Sequence, residues 1–319
     1  MAQSTPQAPL PPIKIERSGP VEIITIQNPP FNVLINPVLD GLADAIVRAI
    51  QDSTVRCIIL TGYGDRAFTG GANIRVMVTK DVEGAREYSA KGQALTNLIE
   101  HAPIPVILAV KGFCLGGGCE ISLACDFIVA SDDAVFAQPE INIGVIPGWG
   151  GSRRLPRAIG VARARRWIFT GEMVPAKEAC KEGLVDRVVP KDKLMDEAMT
   201  LARLLSSKPA VALAAAKFAV NQAVDASRLI GLEYERDLWG VLFSTEDQKE
   251  GMNAFLEKRT PLFHDRADWD ERTKGFQWKE WEDQKSIFED ARRETILDTL
   301  DRSQPPEPTK KETKQPSSV

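Results

Sequence analysis

Histidine is almost missing from this 319-residue chain; His101 and His264 are the only two. A histidine-rich metal site or a serine-histidine-aspartate triad therefore lacks raw material, and each histidine reads as structural. The five cysteines, Cys57, Cys114, Cys119, Cys125 and Cys180, are odd in number and lack metal-type pairing, as expected of reduced packing residues in an intracellular protein. Basic residues are in no excess, 40 against 44 acids for a net charge of −4, which disfavours nucleic acid as a partner. No apolar run approaches the roughly 18 residues of a membrane span, so no membrane association is expected. Residues 1–12 carry neither a basic-apolar signal nor transit-type arginines, and Ser317-Ser318-Val319 is not a Ser-Lys-Leu-type ending. The expected compartment is cytoplasmic, with mitochondrial and peroxisomal locations left open.

With 43% hydrophobic and 26% charged residues, the chain can bury a large core as one large domain or two ordinary ones. Residues 21–26 are β-rich and stop at Asn28-Pro29-Pro30. Asn36-Pro37 reads as an N-cap followed by a proline at the first helical position, and Val38, Leu39, Leu42, Ala45, Ile46, Ala49 and Ile50 keep helical spacing. The short apolar runs 57–60 and 106–110 each precede a glycine, as buried strands feeding loops do. Strands thus alternate with helices, the pattern of an α/β fold. From residue 191 helical patterns dominate, at 194–205, 209–224 and 229–243, the second with an alanine-rich face.

The expected division is a flexible start at 1–12, an α/β core at 13–190, a helical region at 191–263 and a C-terminal extension at 264–319. That extension carries −3 of the net −4 and three of the six tryptophans, Trp269, Trp278 and Trp281. It reads as a charged, partly disordered appendage.

Two glycine-rich segments follow the strand-like runs. Gly112-Phe113-Cys114-Leu115-Gly116-Gly117-Gly118-Cys119-Glu120 places consecutive glycines at a strand-to-helix turn, where bare N–H groups and the helix dipole suit an anion or a developing oxyanion. Thr69-Gly70-Gly71-Ala72-Asn73 offers a second set of N–H groups. The glycine spacing does not match a dinucleotide fingerprint. Glu120 and Glu140 are the carboxylates available to such a site. Such a pair beside an oxyanion hole suits the addition of water across a conjugated double bond: one acts as base on the water, the other protonates the carbon next to the carbonyl.

These motifs, together with Asn28-Pro29-Pro30-Phe31-Asn32-Val33-Leu34, Phe136-Ala137-Gln138-Pro139-Glu140 and Pro147-Gly148-Trp149-Gly150-Gly151-Ser152-Arg153-Arg154-Leu155, resemble in order the enoyl-CoA hydratase/isomerase (crotonase) superfamily. The resemblance spans roughly residues 13–263. It implies a crotonase-like spiral of ββα repeats followed by a helical trimerisation region, with the active site in the 13–190 core, oligomerisation through the 191–263 helices, and trimers or dimers of trimers as the homo-oligomer. It also places the two oxyanion donors on the N–H groups of Gly70 and Gly117. Glu120 would activate water and Glu140 would deliver the proton to C2, while Gly70, Gly71, Ala72 and Asn73 would line the CoA thioester.

Superfamily isomerases typically keep one glutamate of this pair; this sequence keeps both, which favours hydration. The implied enzyme is an enoyl-CoA hydratase with an acyl-CoA substrate and no metal or cofactor, coenzyme A being part of the substrate. A double-bond isomerase, a C–C bond-cleaving variant and a non-catalytic assembly or RNA-associated homologue are the alternatives. Two departures stand out: Asn73 replaces the family's usual aspartate, and Trp149 occupies a loop position where small residues are common, as an acyl-pocket wall or a packing anchor.

Overall fold

A computed structural model of the protein describes residues 10–263. The expectations for 1–9 and for the 264–319 extension, including its tryptophans and His264, lie outside the described residues.

The chain opens with β1 (Ile13–Ser18), β2 (Val21–Ile26) and α1 (Asn36–Gln51). It continues through β3 (Cys57–Gly62), β4 (Ala67–Thr69), α2 (Ile74–Met77) and α3 (Val82–Glu100), then β5 (Val106–Val110), β6 (Phe113–Leu115) and α4 (Gly117–Ser122). Next come β7 (Phe127–Ser131), β8 (Val135–Ala137), a 3-10 turn at Pro139–Ile143, α5 (Gly151–Ile159) and α6 (Val161–Thr170). After β9 (Val174–Pro175), α7 (Ala176–Glu182) and β10 (Arg187–Val189), the chain is helical: α8 (Leu194–Ser206), α9 (Ala210–Gln222), α10 (Arg228–Leu242) and α11 (Glu246–Leu256).

Two sheets result, one ordered β1-β2-β3-β5-β7-β10 and one ordered β4-β6-β8-β9. Successive strands alternate between them, β3 then β4, β5 then β6, β7 then β8, so each turn of the chain adds one strand to each sheet before a helix or a short turn returns it. The result is the ββα spiral. β3, β5 and β7 pair in parallel and lie inside the large sheet, which explains why their sequences read as unbroken apolar runs. The first strand was missed in the sequence: β1 pairs antiparallel with β2 at the sheet edge and is mostly exposed, so its Ile-Lys-Ile-Glu-Arg-Ser carries too weak an apolar signal.

α1 buries Val38, Leu39, Leu42, Ala43, Ala45, Ile46, Ala49 and Ile50, the stripe its spacing predicts. Its cap differs from expectation. Ile35 is the N-cap without a side-chain bond, and Asn36 is already helical with Pro37 beside it, where a missing N–H and a fixed φ cost nothing. Core residues Leu34, Leu39, Phe68, Phe136 and Trp167 pack between sheets and helices. On the other face of the large sheet, Leu194, Ala198 and Ala202 of α8 pack against Val21, Cys57, Ile59, Ile107 and Val129. His101 caps α3, its ring Nδ1 2.9 Å from the Asn97 carbonyl.

α9 is tied to the body by polar contacts that its alanine-rich sequence hides. Lys217 Nζ donates to Asp126 at 2.7 Å and to the Ile99 carbonyl at 3.1 Å, and Asn221 donates to the Glu100 carbonyl at 2.9 Å. No helix among the described residues is long and apolar enough to cross a membrane.

Candidate active site

The ends of β4, β6 and β8 lie side by side in the small sheet, and the glycine loops and Glu140 leave from those ends. Gly116, between β6 and α4, has φ +51°, a conformation that favours glycine, and a Cβ there would crowd Glu140 Oε1 at 3.0 Å. α4 begins at Gly117 and carries Glu120 in its first turn.

Glu120 is only 2% exposed. Its Oε1 accepts hydrogen bonds from the backbone N–H groups of Trp149 (2.6 Å) and Gly151 (2.8 Å). Burial pushes its carboxyl up to about 7, against the pull of those N–H groups and of the Arg154 charge. Glu140 sits in the 3-10 turn, where Pro139 starts the turn and ends β8. Burial also raises its carboxyl to about 7, with the negative charge of Glu120 as the second cause. With the Gln138 amide oriented to satisfy its neighbours, its nitrogen donates to both Glu140 oxygens at 3.2 Å.

The two glutamates therefore titrate as a coupled pair. Glu120, with two N–H donors on one oxygen, is the better home for the charge, and Glu140 the better home for a proton. The Cys119 thiol beside them is pushed up by burial and by both carboxylates, so it stays protonated and inert.

The opposite loop corrects one expectation. The Gly70 N–H is occupied, donating to the Phe31 carbonyl at 2.7 Å, and therefore cannot meet an oxyanion without breaking a bond that holds the loop. The Gly71 N–H donates to Thr69 Oγ1 at 3.0 Å. The next residue, Ala72, has an N–H without an acceptor among the described residues, and so does Gly117 at the start of α4. Gly71, at φ +91°, brings the two loops together: a Cβ on it would lie 2.6 Å from the Leu115 carbonyl and 3.5 Å from the Gly117 nitrogen. Asn73 has a local task, capping α2 by accepting from Arg75 N–H at 3.1 Å.

Trp149 is a packed side chain, 3% exposed. Its ring lies 5.7 Å from that of Tyr88 and fills the space over Gly92, where a Cβ would stand 2.2 Å from three indole atoms. The indole edge also abuts Gly117, where a Cβ would be 2.6 Å away. Sequence reasoning singled out neither Thr69, Gln138 nor Arg154, although all three lie inside the quoted motifs. Gln138, two residues before Glu140, was the most accessible of the three. Among the described residues no group of three or more metal-binding side chains occurs.

The family model for enoyl-CoA hydratase/isomerase matches residues 16–266. The chain belongs to that family. A crotonyl-CoA hydratase of Syntrophomonas wolfei is 39% identical over 252 residues, covering 79% of this chain and 97% of the relative. A short-chain-enoyl-CoA hydratase of Clostridium acetobutylicum is 39% identical over 246 residues, covering 77% and 94%. Among solved structures, an enoyl-CoA hydratase from Bacillus anthracis superposes with TM-score 0.76 at 35% identity, covering 79% of this chain and 98% of that one. One from Geobacillus kaustophilus gives 0.76 at 42%, covering 81% and 99%. These four relatives are matched over 94–99% of their own length, so the remaining fifth of this chain lies outside what they share.

Proposed function

We propose that this family member adds water reversibly across the 2,3 double bond of an enoyl-CoA thioester, with Glu120 and Glu140 as the acid-base pair. The observation that carries the assignment is the carboxylate pair, buried Glu120 fixed by two N–H groups and half-buried Glu140 facing its charge.

Ionised Glu120 takes a proton from water as the water oxygen bonds to C3. The π electrons move onto the thioester as an enolate, whose oxygen meets the N–H groups of Ala72 and Gly117. Protonated Glu140 then donates its proton to C2. Water has been added, and the pair ends with its single proton on Glu120 instead of Glu140; transfer back between the two resets the site. The reverse sequence expels water. A preorganised pair of N–H donors is worth a few kcal/mol of enolate stabilisation per donor, about 2.7–4 in favourable cases. The reaction as written draws on no metal or redox cofactor, and coenzyme A enters with the substrate.

Gly71 and Ala72 border the thioester, with Gly70 behind them bracing the loop through Phe31, and Asn73 starts the helix beyond. Trp149, wedged between Gly92 and Gly117, forms the wall that acyl carbons past C3 encounter. Exposed Trp239, Phe255 and Leu256 on α10 and α11 favour a homo-oligomer, a trimer or a dimer of trimers, built through α9–α11 rather than through α8, which is buried on the large sheet.

Mixing the enzyme with crotonyl-CoA should bleach the ultraviolet absorbance of the conjugated enoyl thioester. Glu140→Gln should slow that bleaching about 10²–10⁴-fold while the oligomer size is kept. Undiminished hydration by Glu140→Gln would remove the acid assigned here.

A further inference from the structure

The two N–H groups that orient Glu120 belong to Trp149 and Gly151, flanking a residue with unusual backbone. Gly150 lies at φ +108°, and a Cβ on it would stand 2.1 Å from Arg154 Nη1. The guanidinium thus occupies the place of a missing side chain. Arg154 is 8% exposed and every one of its bonds points at this turn or at α3. Nη1 donates to the Trp149 carbonyl at 3.1 Å and to Thr96 Oγ1 at 3.0 Å, and the Thr96 hydroxyl lies 2.9 Å from the same carbonyl. Nη2 reaches Asn97 Oδ1 at 2.7 Å and Glu100 Oε2 at 2.5 Å, and Nε reaches Glu100 Oε2 at 3.0 Å.

We propose that Arg154, backed by Thr96 and Glu100, is a positioning residue for hydration: it grips the Trp149 carbonyl and so aims the Trp149 and Gly151 N–H groups together at Glu120 Oε1. The inference rests on the hydratase reading above. Trp149 has its carbonyl on Arg154 and its N–H on Glu120, so a rotation of either flanking peptide plane breaks one bond or the other. A buried cation whose purpose was only to neutralise Glu100 would have no need of a bond to the turn that presents the base. Among the described residues, the charged or titratable groups facing Glu120 are Glu140 from the 3-10 turn, the Cys119 thiol from α4 and Arg154 from α5, with Glu100 of α3 on the far side of Arg154. Arg154 is the only cation among these, and its charge opposes the upward push of burial on Glu120.

The test compares wild type with Arg154→Met, Arg154→Lys and Thr96→Val in the crotonyl-CoA assay, recording kcat, KM and the pH profile of kcat/KM, with thermal melting as the check on folding. Arg154→Met should lower kcat about 10–100-fold with little change in KM, the scale of a catalytic group displaced by about 1 Å. Its acid limb should move to higher pH, because Glu120 loses a nearby cation and the alignment of its donors. Arg154→Lys keeps the charge without the fork, so its acid limb should stay near wild type while kcat falls. Thr96→Val keeps the cation and should show the mildest loss of kcat. If Arg154→Met does not fold, Arg154→Lys and Thr96→Val decide, and wild-type kcat in both overturns the inference. A folded Arg154→Met with wild-type kcat and acid limb, or a loss confined to KM, overturns it as well. A wild-type enzyme that fails to hydrate crotonyl-CoA under the same conditions overturns the hydratase reading itself, a result distinct from either.

Discussion

The backbone N–H of Trp149 lies 2.6 Å from Glu120 Oε1, while the indole of the same residue is wedged against Gly117, whose N–H has no acceptor among the described residues. One residue thus touches Glu120 through its main chain and Gly117 through its ring. The proposed base, oxyanion donor and pocket wall are therefore mechanically linked, and the substitutions below separate their contributions.

Glu120→Gln and Glu140→Gln each remove one proton-transfer group without changing side-chain volume. Each should lower kcat by about 10²–10⁴, the usual contribution of a positioned acid or base. Affinity for a saturated acyl-CoA, measured by calorimetry, should be little altered. Loss of binding in place of turnover would assign the glutamates to substrate anchoring.

Both carboxyls stand near 7, one needed ionised and the other protonated. The profile of kcat/KM against pH should therefore be a bell: activity falls at low pH as the pair takes up a second proton, and at high pH as it loses its last. Glu140→Gln, which removes the negative neighbour, should leave no high-pH limb in whatever activity survives. A flat profile from pH 5 to 9 would contradict the pairing.

The same raised values carry a stability consequence. A carboxyl that titrates near 4.5 unfolded and near 7 folded binds more protons in the native state across that window, so its contribution is present at low pH and lost as pH rises through 7. At pH 8, Glu140→Gln should raise the unfolding free energy by about 1–3 kcal/mol, the coupled pair being relieved of one buried charge. At pH 4.5 the difference should be near zero. Urea melts at the two pH values check the sign, and a variant less stable at pH 8 would contradict it.

Trp149→Ala opens the space between Gly92 and Gly117. It should destabilise the fold by about 3–5 kcal/mol, as deletion of a buried large aromatic does, and shift the ratio of kcat/KM values from crotonyl-CoA toward longer enoyl-CoA substrates. Gly92→Ala, which drives a Cβ to 2.2 Å from the indole, should disturb the same ratio without touching the reacting groups. An unchanged ratio in both would mean that the indole only packs.

Replacing the Ala72 amide by an ester removes its N–H alone and should lower kcat about 10–10³-fold, the range for loss of an oxyanion donor. The same replacement at Gly70 removes the bond to Phe31 and should reduce stability more than kcat. The reverse pattern would return the donor to Gly70.

Much of the fold was legible because its signals are local. Helices α8, α9 and α10 fall within two residues of their sequence-derived ranges, since their apolar periodicity is long. β1 was not legible, because an exposed edge strand needs no apolar run. Glu120, Glu140 and Gly117 stood out through the motifs around them, but the open N–H of the opposite loop did not. Whether the N–H of Gly70 or of Ala72 is open depends on Phe31, 39 residues earlier in the chain, and that contact exists only in three dimensions. Arg154 was hidden for the same reason: it is one of six arginines between residues 153 and 166, and only burial separates it from the exposed Arg153 beside it.

The central claim is that Glu120 and Glu140 together add water to a conjugated thioester. The most direct measurement mixes the enzyme with crotonyl-CoA, follows the enoyl absorbance and weighs the product by mass spectrometry, for wild type and Glu140→Gln side by side. The account predicts bleaching with a gain of one water by wild type, and the same by the variant only at a rate about 10²–10⁴-fold lower. A wild-type product of unchanged mass, or a variant that hydrates as fast as wild type, would contradict it.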